Sequence, residues 1–365
     1  MITGGGTQLI SSLLGVPGGS DTVLQALVPY SESALNQHLG FTPARACSEE
    51  TARWMAMRVY QLASNENTDS ANTVFGLAVT ASLASLQPKK GQHRIHIAAQ
   101  TRTTTFTWSL TLKKDHRSRE QEEELCSKLA LNALCEIMQL EPANTLELHT
   151  SETMLSHSVE GEKDLQQLLF SRDSTAHLFQ SSQTLSRTLS HARGPELVFP
   201  GAFDPLHDGH KRMLEVANKI TGLQACFEIC VHNIEKPRLD FISLAERCEP
   251  FKDMSHQLVL TTASRFVDKA RCFPTAIFIV GIDTLERIAD PQYYNNSIST
   301  RDEAIAEIDR LGCRFLVFGR VLSGEFRQIE NLNIPARLEA ICSAVPESAY
   351  RMDVSSTELR NNRSG

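Results

Sequence analysis

The sequence lacks the features that mark several common classes of protein. Its formal net charge is −7, so it has no basic excess of the kind that a general nucleic-acid binder shows. It contains no uninterrupted apolar run of about 18 residues, the length that a membrane-spanning helix needs. The first residues lack the charged and apolar regions of a signal peptide. We therefore expect a soluble, cytoplasmic protein with no nucleic-acid or membrane partner.

The cysteines do not form a recognisable framework either. There are nine, an odd number, and no two are spaced as Cys-x-x-Cys. A disulfide scaffold or a structural zinc site is therefore not expected, and we assign no metal-ligating side chain. Reduced thiols of a cytosolic protein are the simpler interpretation.

The 365 residues are enough for two domains of ordinary size. Residues 1–150 alternate helical and strand patterns and predict a mixed α/β domain. Residues 151–194 are rich in Ser, Thr and His, which is typical of a linker with some local structure. Residues 195–365 alternate short apolar strands with helices, which predicts a doubly wound parallel sheet. The predicted fold class is thus α/β, with two α/β domains, and ligands of the second are expected at the carboxyl ends of its strands.

A polar segment lies between the first strand and the first helix of the C-terminal domain. Gly201 permits a tight turn, and His207 and His210 are three residues apart at the start of a helix, so both can face one point. The helix N-terminus adds free N–H groups and partial positive charge, which suits an anion. We predict His207 and His210 as catalytic residues and the neighbouring backbone as a nucleotide cradle, made of Gly201, Ala202, Phe203, Asp204 and Gly209.

A second segment near the end of the chain combines hydroxyls with a guanidinium. Ser355 and Glu358 form a capping-box pattern at a helix start, and the hydroxyl side chains and Arg360 that accompany them suit a polyphosphate. By itself, this pattern also fits a plain capped helix. We predict Arg360 as catalytic and three hydroxyl residues as nucleotide-binding: Ser355, Ser356 and Thr357.

Two shorter segments add candidates. Gly281 and Asp283 lie where a strand ends and a helix begins, and Asp283 either contacts a nucleotide or simply caps that helix. Lys236 precedes another predicted helix, and Arg247 lies within that helix. Each of the two is either a phosphate contact or a solvated surface residue. We predict Lys236 as catalytic and Gly281 and Asp283 as nucleotide-binding.

The Gly-x-Phe-Asp-Pro-x-His-x-Gly-His run of residues 201–210 closely resembles the signature of the HxGH nucleotidyltransferase superfamily. Its fold is the HUP or Rossmann-like doubly wound sheet, and its activity is transfer of a nucleoside monophosphate with release of pyrophosphate. The resemblance extends to the second segment, where Val354 replaces the usual Ile. It implies that Ser356, Thr357 and Arg360 hold the β- and γ-phosphates of the triphosphate. Mg²⁺ is the expected cofactor, with no protein ligand assigned.

The acceptor is less well indicated. The Gly281-x-Asp283 element resembles that of the pyridine-mononucleotide adenylyltransferases, which favours ATP and nicotinamide or nicotinate mononucleotide. Those enzymes often stack the pyridine ring on an aromatic residue, and both Trp residues, Trp54 and Trp108, lie in the other domain. Asp204 stands where many pyridine enzymes have Asn and is more usual in cytidylyltransferases and phosphopantetheine adenylyltransferases. Candidate substitutes for the stacking residue are Phe241, Tyr293 and Tyr294.

The N-terminal domain contains five short segments of a shared pattern, at residues 3–5, 16–18, 28–31, 47–52 and 76–80. In their order and spacing, these segments make residues 3–140 resemble the C-terminal domain of the CinA family, whose members hydrolyse the amide of nicotinamide mononucleotide. Active members carry Ser-Cys-Thr-Gly-Gly with Ser as nucleophile, whereas Met1 and Ile2 precede Thr3 here, and Leu35 replaces a family Lys. Covalent catalysis needs an activated nucleophile, so we predict loss of amidase activity.

The hypotheses to be separated are therefore three. The first is a nucleotidyltransferase acting on a nucleoside triphosphate and a phosphate-bearing small molecule. The second is a nucleotide-binding or scaffold protein that keeps the sites without catalysis. The third, an amidase, lacks its nucleophile. A homo-oligomer formed through the N-terminal domain is an arrangement that the sequence leaves open.

Overall fold

The chain forms two compact α/β units. A computed structural model describes residues 1–66, 74–87, 89–174, 177–181, 184–186, 194–232, 237–252, 254, 257–322 and 325–351. The first unit takes in the described parts of 1–166 and 233–244, and the second takes in those of 167–232 and 245–365.

The first unit is built on a five-stranded sheet with strand order β1-β2-β3-β4-β5, in which β1 and β2 are parallel and the other neighbours antiparallel. The strands are β1 (Ile2–Thr3), β2 (Gly76–Ser82), β3 (His93–Gln100), β4 (Thr104–Leu112) and β5 (Met154–Glu160). The helices are α1 (Gln8–Leu14), α2 (Gly19–Thr22), α3 (Glu32–Leu39), α4 (Glu49–Glu66) and α5 (Arg119–Ile137), and α6 (Lys163–Leu169) follows β5.

Helices cover both faces of this sheet. Side chains alternate between the two faces along each strand, so each face contributes to a core of its own. Ile97 belongs to a core cluster shared with α1 and α5, whereas its neighbour Ala98 belongs to a cluster shared with α3 and α4. The largest side chains in the cores are fully buried, among them Met55 and Ile95. This unit is therefore the mixed α/β domain that the sequence predicts.

The second unit has an eight-stranded sheet. Its strands are β6 (His177–Ser181), β7 (Thr184–Ser186), β8 (Leu197–Pro200), β9 (Ala225–Cys230), β10 (Leu258–Thr261), β11 (Ile277–Gly281), β12 (Arg314–Phe318) and β15 (Cys342–Val345), and a separate hairpin pairs β13 (Arg320–Leu322) with β14 (Glu325–Arg327). The helices are α7 (Asp208–Thr221), α9 (Phe266–Cys272), α10 (Ile282–Ala289), α11 (Ile298–Arg310) and α12 (Ala336–Ala340), with 3₁₀ turns at Glu249–Phe251, Pro291–Tyr294 and Ile329–Asn331. Helix α8 (Phe241–Cys248) begins in residues of the first unit and ends in residues of the second.

The sheet order is β15-β12-β11-β8-β9-β10-β6-β7, with parallel pairing from β15 to β10. Counted along the chain, the six parallel strands therefore lie in the order 3-2-1-4-5-6, which is that of the doubly wound nucleotide-binding fold. The order reverses between β8 and β11, and a crevice at this switch point is where ligands of such sheets bind. This confirms the predicted fold class of two α/β domains with a doubly wound parallel sheet in the C-terminal one.

Both faces of the parallel sheet are buried. Val198, Phe278 and Phe315 belong to a large apolar cluster that includes α9, α10 and α11. On strands β8 and β9, Phe199 and Phe227 stack with ring centroids 5.7 Å apart, on the face opposite Val198. Rigid strands therefore support the loop that follows β8.

The structure places the boundary between the two units differently from the sequence, which predicts a linker at residues 151–194. Strand β5 pairs with β4 in the first sheet, while β6 pairs with β10 and β7 with β6 in the second. Most side chains of β5 are exposed, because it is an edge strand. An edge strand needs no continuous apolar pattern, so its composition is easily mistaken for that of a loop.

Candidate functional site

The loop that follows β8 lies at the carboxyl end of that strand, next to the switch point. Phe203 has φ of +45°, is 3% exposed, and packs edge-on against Phe227 with ring centroids 5.0 Å apart. Its ring lies directly over Gly201, where an added Cβ would be 2.6 Å from the ring. Gly201 is therefore required by a close approach, and Phe203 fixes the loop into the core while Ala202 stays exposed.

The two histidines come together at the start of α7. His207 is the N-cap residue, and its backbone N–H donates to Nδ1 of His210 at 3.3 Å. The two imidazole rings stack with centroids 3.7 Å apart and an interplanar angle of 25°. Because Nδ1 of His210 accepts a hydrogen bond, the proton of the neutral ring resides on Nε2. His210 thus keeps an N–H donor for a ligand, at the N-terminus of a fourteen-residue helix.

Both imidazoles are held in the neutral form. Burial, together with a smaller effect of the neighbouring His207, lowers the pKa of His210 to about 3. Burial also lowers the pKa of His207, against the opposing effect of Asp208. The edges of Phe199 and Phe203 lie against His210, with ring centroids 6.0 and 5.0 Å away, and supply the apolar wall. As neutral rings, both imidazoles can donate hydrogen bonds at neutral pH, which suits an anionic ligand.

Asp204 lies beside a cation that the sequence also predicts as a candidate. A nitrogen of the Arg247 guanidinium is 3.4 Å from Oδ2 of Asp204, and the two side chains are 21% and 45% exposed. Arg247 belongs to α8, so this pair brings a positive charge to the β8 loop. Gly209, in the first turn of α7, is buried.

The neighbouring strand end carries the other predicted element. Gly281 is the N-cap of α10, and an added Cβ there would meet nothing within 4 Å, so no packing contact demands this glycine. Asp283, in the first turn of α10, forms an ion pair with Arg320. Arg320 is not among the residues predicted from the sequence, although it stands two residues after the last residue of β12, where a doubly wound sheet places ligand contacts.

Tyr350 is a second residue that sequence reasoning missed. Its hydroxyl lies 3.4 Å from the backbone carbonyl of Gly209, and its ring packs edge-on against Phe318 at 5.0 Å. The chain is therefore anchored at the first turn of α7 five residues before Ser355, the first residue of the second predicted segment. The sequence feature that could have indicated this contact is the position of a Tyr a few residues before the second predicted segment.

Five predicted site residues lie outside the described residues, namely Lys236, Ser355, Ser356, Thr357 and Arg360. The part of the chain that the structure describes holds no group of three or more His, Cys, Asp or Glu side chains that could bind a metal ion. The described residues therefore do not identify a protein-ligated position for the expected Mg²⁺.

The aromatic candidates for stacking a pyridine ring are mostly committed to packing. Trp108 is buried, and its indole N–H donates to Glu136 at 2.8 Å. Phe241 is fully buried, and Tyr294 is buried with its hydroxyl donating to the Ile288 carbonyl at 3.2 Å. Of the three substitutes, Tyr293 alone is partly exposed.

The first unit contains a cavity of about 400 Å³ beside its glycine-rich turn. Arg119 and Tyr30 line it, and Tyr30 is 67% exposed. The Glu123 carboxylate also lines it, and accepts from the Thr7 N–H at 2.6 Å and from the Thr7 hydroxyl at 2.8 Å. Ile2, which directly precedes Thr3, is buried in the apolar core.

Residues 198–362 match the family model described as cytidylyltransferase-like. The matched range contains both the His207-x-x-His210 segment and the Ser355–Arg360 segment of the sequence. No protein with curated function matches the chain. Within the described residues, none of the helices is both long and apolar enough to cross a membrane. The C-terminal unit thus contains a cytidylyltransferase-like domain, which supports membership of the nucleotidyltransferase superfamily.

Proposed function

We propose that the C-terminal unit transfers AMP from ATP to the phosphate of nicotinamide or nicotinate mononucleotide, releasing pyrophosphate. The observation that carries the proposal is the stacked, neutral pair His207 and His210 at the N-terminus of α7. This pair follows the central strand β8 at the switch point of a 3-2-1-4-5-6 sheet. The cytidylyltransferase-like match over residues 198–362 supports the reaction class.

The proposed reaction is an in-line displacement at the α-phosphorus. An oxygen of the acceptor phosphate forms a bond to that phosphorus, and the bond to the bridging oxygen of the leaving pyrophosphate breaks. Nε2–H of His210, and the imidazole of His207 beside it, donate to the α-phosphate oxygens, where negative charge builds up in the transition state. The histidines act by position and by hydrogen bonding, so no covalent enzyme intermediate is needed.

Arginine and lysine side chains are proposed to hold the rest of the triphosphate. Arg247 is already placed at the β8 loop by its 3.4 Å pair with Asp204. The hydrogen bond from Tyr350 to Gly209 keeps the chain beside α7 five residues before the second segment begins at Ser355, which supports a shared ligand. We propose that Lys236 and Arg360 contact phosphates and that Ser355, Ser356 and Thr357 cradle the leaving pyrophosphate.

Magnesium is proposed to enter with the triphosphate. Mg²⁺ is usually bound through one or two carboxylates together with substrate phosphates and waters, rather than in a dedicated protein cage. The described residues hold no ready metal-binding group, so we assign it no protein ligand and no step.

CTP is the second candidate donor. The matching family model is described as cytidylyltransferase-like, and Asp204 stands where the cytidylyl and phosphopantetheine enzymes usually have Asp. The burial of Phe241 and Tyr294 also removes two of the aromatic side chains considered for stacking a pyridine. Phosphopantetheine and glycerol phosphate are therefore alternative acceptors.

The test is pyrophosphate release by the purified full chain with Mg²⁺. ATP and CTP are each offered with nicotinamide mononucleotide, nicotinate mononucleotide, phosphopantetheine and glycerol phosphate. Release with ATP and a pyridine mononucleotide is the expected result. Release only with CTP or another acceptor corrects the substrate, whereas nucleotide binding without release with any pair would favour a binding or scaffold protein.

For the first unit we propose a CinA-like domain without amidase activity, in a structural, ligand-binding or oligomerising role. A buried Ile2 next to Thr3, and the Glu123 carboxylate already hydrogen-bonded to Thr7, support this proposal, since neither supplies a nucleophile. Ammonia release from nicotinamide mononucleotide by the full chain would overturn it. Light scattering of the full chain tests self-association.

A further inference from the structure

We propose that Arg320 is a positioning residue that orients Asp283 toward a ribose hydroxyl of the bound nucleotide. The inference rests on the proposed function, in which Asp283 binds nucleotide. The ion pair between the Arg320 guanidinium and Oδ2 of Asp283 carries it. Both residues follow neighbouring parallel strands, Asp283 after β11 and Arg320 after β12, and so stand at the ligand edge of the sheet.

The pair is accessible to a ligand. The side chains of Arg320 and Asp283 are 38% and 44% exposed, so neither is sealed in the core. A carboxylate can accept several hydrogen bonds through its two oxygens. With Arg320 on Oδ2, Oδ1 can accept from a hydroxyl, which is the hydrogen-bonding group that a ribose presents.

The surrounding structure fixes Arg320 in place. Gly319 precedes it, and a Cβ at that position would overlap the ring of Phe326 and lie 2.8 Å from the Arg327 carbonyl oxygen. The β13–β14 hairpin therefore folds back tightly over the end of β12, with Arg320 opposite Arg327 in the ladder. The backbone position of Arg320 is therefore fixed by the hairpin, and its guanidinium reaches Asp283 from a defined point.

The same hairpin provides a matched control. Arg327 forms a second ion pair with Glu286, 3.5 Å away, one helical turn after Asp283. The exposures of this pair, 39% and 44%, match those of the first pair. If an arginine were needed only to hold the hairpin on α10, Arg320 and Arg327 would be equivalent. The proposal predicts that they are not.

The experiment measures kcat and KM of the full chain with the preferred triphosphate and with its 2′-deoxy and 3′-deoxy forms. Wild type is expected to prefer the ribonucleotide by about 10- to 100-fold in kcat/KM over one deoxy form, the range for a hydrogen bond to a charged group. Arg320→Gln should reduce this preference to a few-fold, mostly through KM, while Arg320→Lys retains part of it. Asp283→Asn should reduce it similarly, and the double variant should lose no more than either single variant. Arg327→Gln should keep the full preference.

Several results would overturn the proposal. One is that Arg320→Gln keeps the wild-type preference for the ribonucleotide over the deoxy forms, while Asp283→Asn loses this preference. Another is that Arg320→Gln lowers kcat/KM by the same factor for all three triphosphates and that Arg327→Gln lowers it equally. Such a result would mean that both arginines act only on the stability of the hairpin. A wild type that turns over all three equally also overturns it, without affecting the proposed reaction. A wild type that neither binds nor turns over any triphosphate overturns the proposed function itself, and the inference with it.

Discussion

The backbone N–H of His207 donates to Nδ1 of His210 at 3.3 Å, so one histidine determines the tautomer of the other. This is the capping-box arrangement of a helix start, with imidazole in place of the usual Glu or Gln at the third helical position. The same contact both starts α7 and leaves Nε2–H as the donor that a phosphate would meet. Helix capping and the proposed chemistry therefore depend on the same two residues and can be separated by substitution.

His210→Gln tests that separation. Glutamine is the usual partner at this position of a capping box and can accept from the His207 N–H, so the fold should be kept. The imidazole donor is lost, and loss of one preorganised donor to a developing charge typically lowers kcat by about 10²- to 10³-fold. Circular dichroism and thermal melting check the fold, and pyrophosphate release measures the rate. A variant that is folded and fully active would remove His210 from the proposed mechanism.

The depressed pKa of His210 also predicts a pH dependence of stability. The ordinary pKa of 6.5 applies in the unfolded chain, and the folded value is about 3. Between these values the unfolded chain binds a proton that the folded chain does not, so the free energy of unfolding falls as the pH falls through this window. His210→Gln removes that contribution. The loss of stability between about pH 7 and about pH 4.5, measured by urea unfolding, should therefore be smaller in the variant than in wild type. An equal or larger loss would show that His210 is not held neutral by the fold.

Most of the second unit was predictable from its sequence because each strand and helix there has its own local pattern. The helix start predicted at His207 and His210 is that of α7, which spans Asp208–Thr221, and Gly281 and Asp283 lie where β11 ends and α10 begins, as predicted. These elements are bounded by Gly, Pro or capping residues, and their apolar residues follow the period of one element type. The carboxyl-end position of the β8 loop then follows from the alternation of strands and helices.

What the sequence did not indicate depends on contacts between distant residues. The Asp283–Arg320 ion pair joins residues 37 positions apart, and Tyr350 reaches Gly209 across 141 positions. Strand β5 was missed for a related reason, since an exposed edge strand is defined by its pairing with β4 rather than by apolar composition. Neither local propensity nor periodicity records such contacts.

Gly201→Ala is expected to destabilise the β8 loop. The new Cβ would lie 2.6 Å from the Phe203 ring, which is 3% exposed and therefore has little room to move. Overpacking of this kind typically costs about 1–3 kcal/mol. The midpoint of thermal unfolding of the full chain measures the loss. Adding Phe203→Leu should recover part of it in the double variant, because the shorter side chain vacates the space that the Cβ needs. If Gly201→Ala has no effect on stability or on pyrophosphate release, the close approach is not a constraint.

The buried ion pair beneath the β8 loop should be costly to break from either side. Nζ of Lys269 donates to both carboxylate oxygens of Glu228 at 2.7 Å, and the two side chains are 7% and 0% exposed. Burial alone would lower the pKa of Lys269, but Glu228 and nearby thiols raise it above its ordinary value, so the lysine is charged. The backbone carbonyl of Glu228 also accepts from the Gly201 N–H at 2.9 Å, which links the pair to the site.

Lys269→Met leaves a buried carboxylate without its counter-charge, and Glu228→Gln leaves a buried ammonium, so each should cost about 3–5 kcal/mol in the free energy of unfolding. The double variant removes both charges and keeps an amide oxygen for the hydroxyl of Thr261, which donates to Glu228 in the wild type. Its loss should therefore be clearly smaller than the sum of the two single losses. Urea unfolding of the full chain, followed by circular dichroism, measures all three. Single losses below about 1 kcal/mol, or strictly additive ones, would mean that water or local rearrangement compensates the unpaired charge, and that the pair does little to hold β9 beneath the loop.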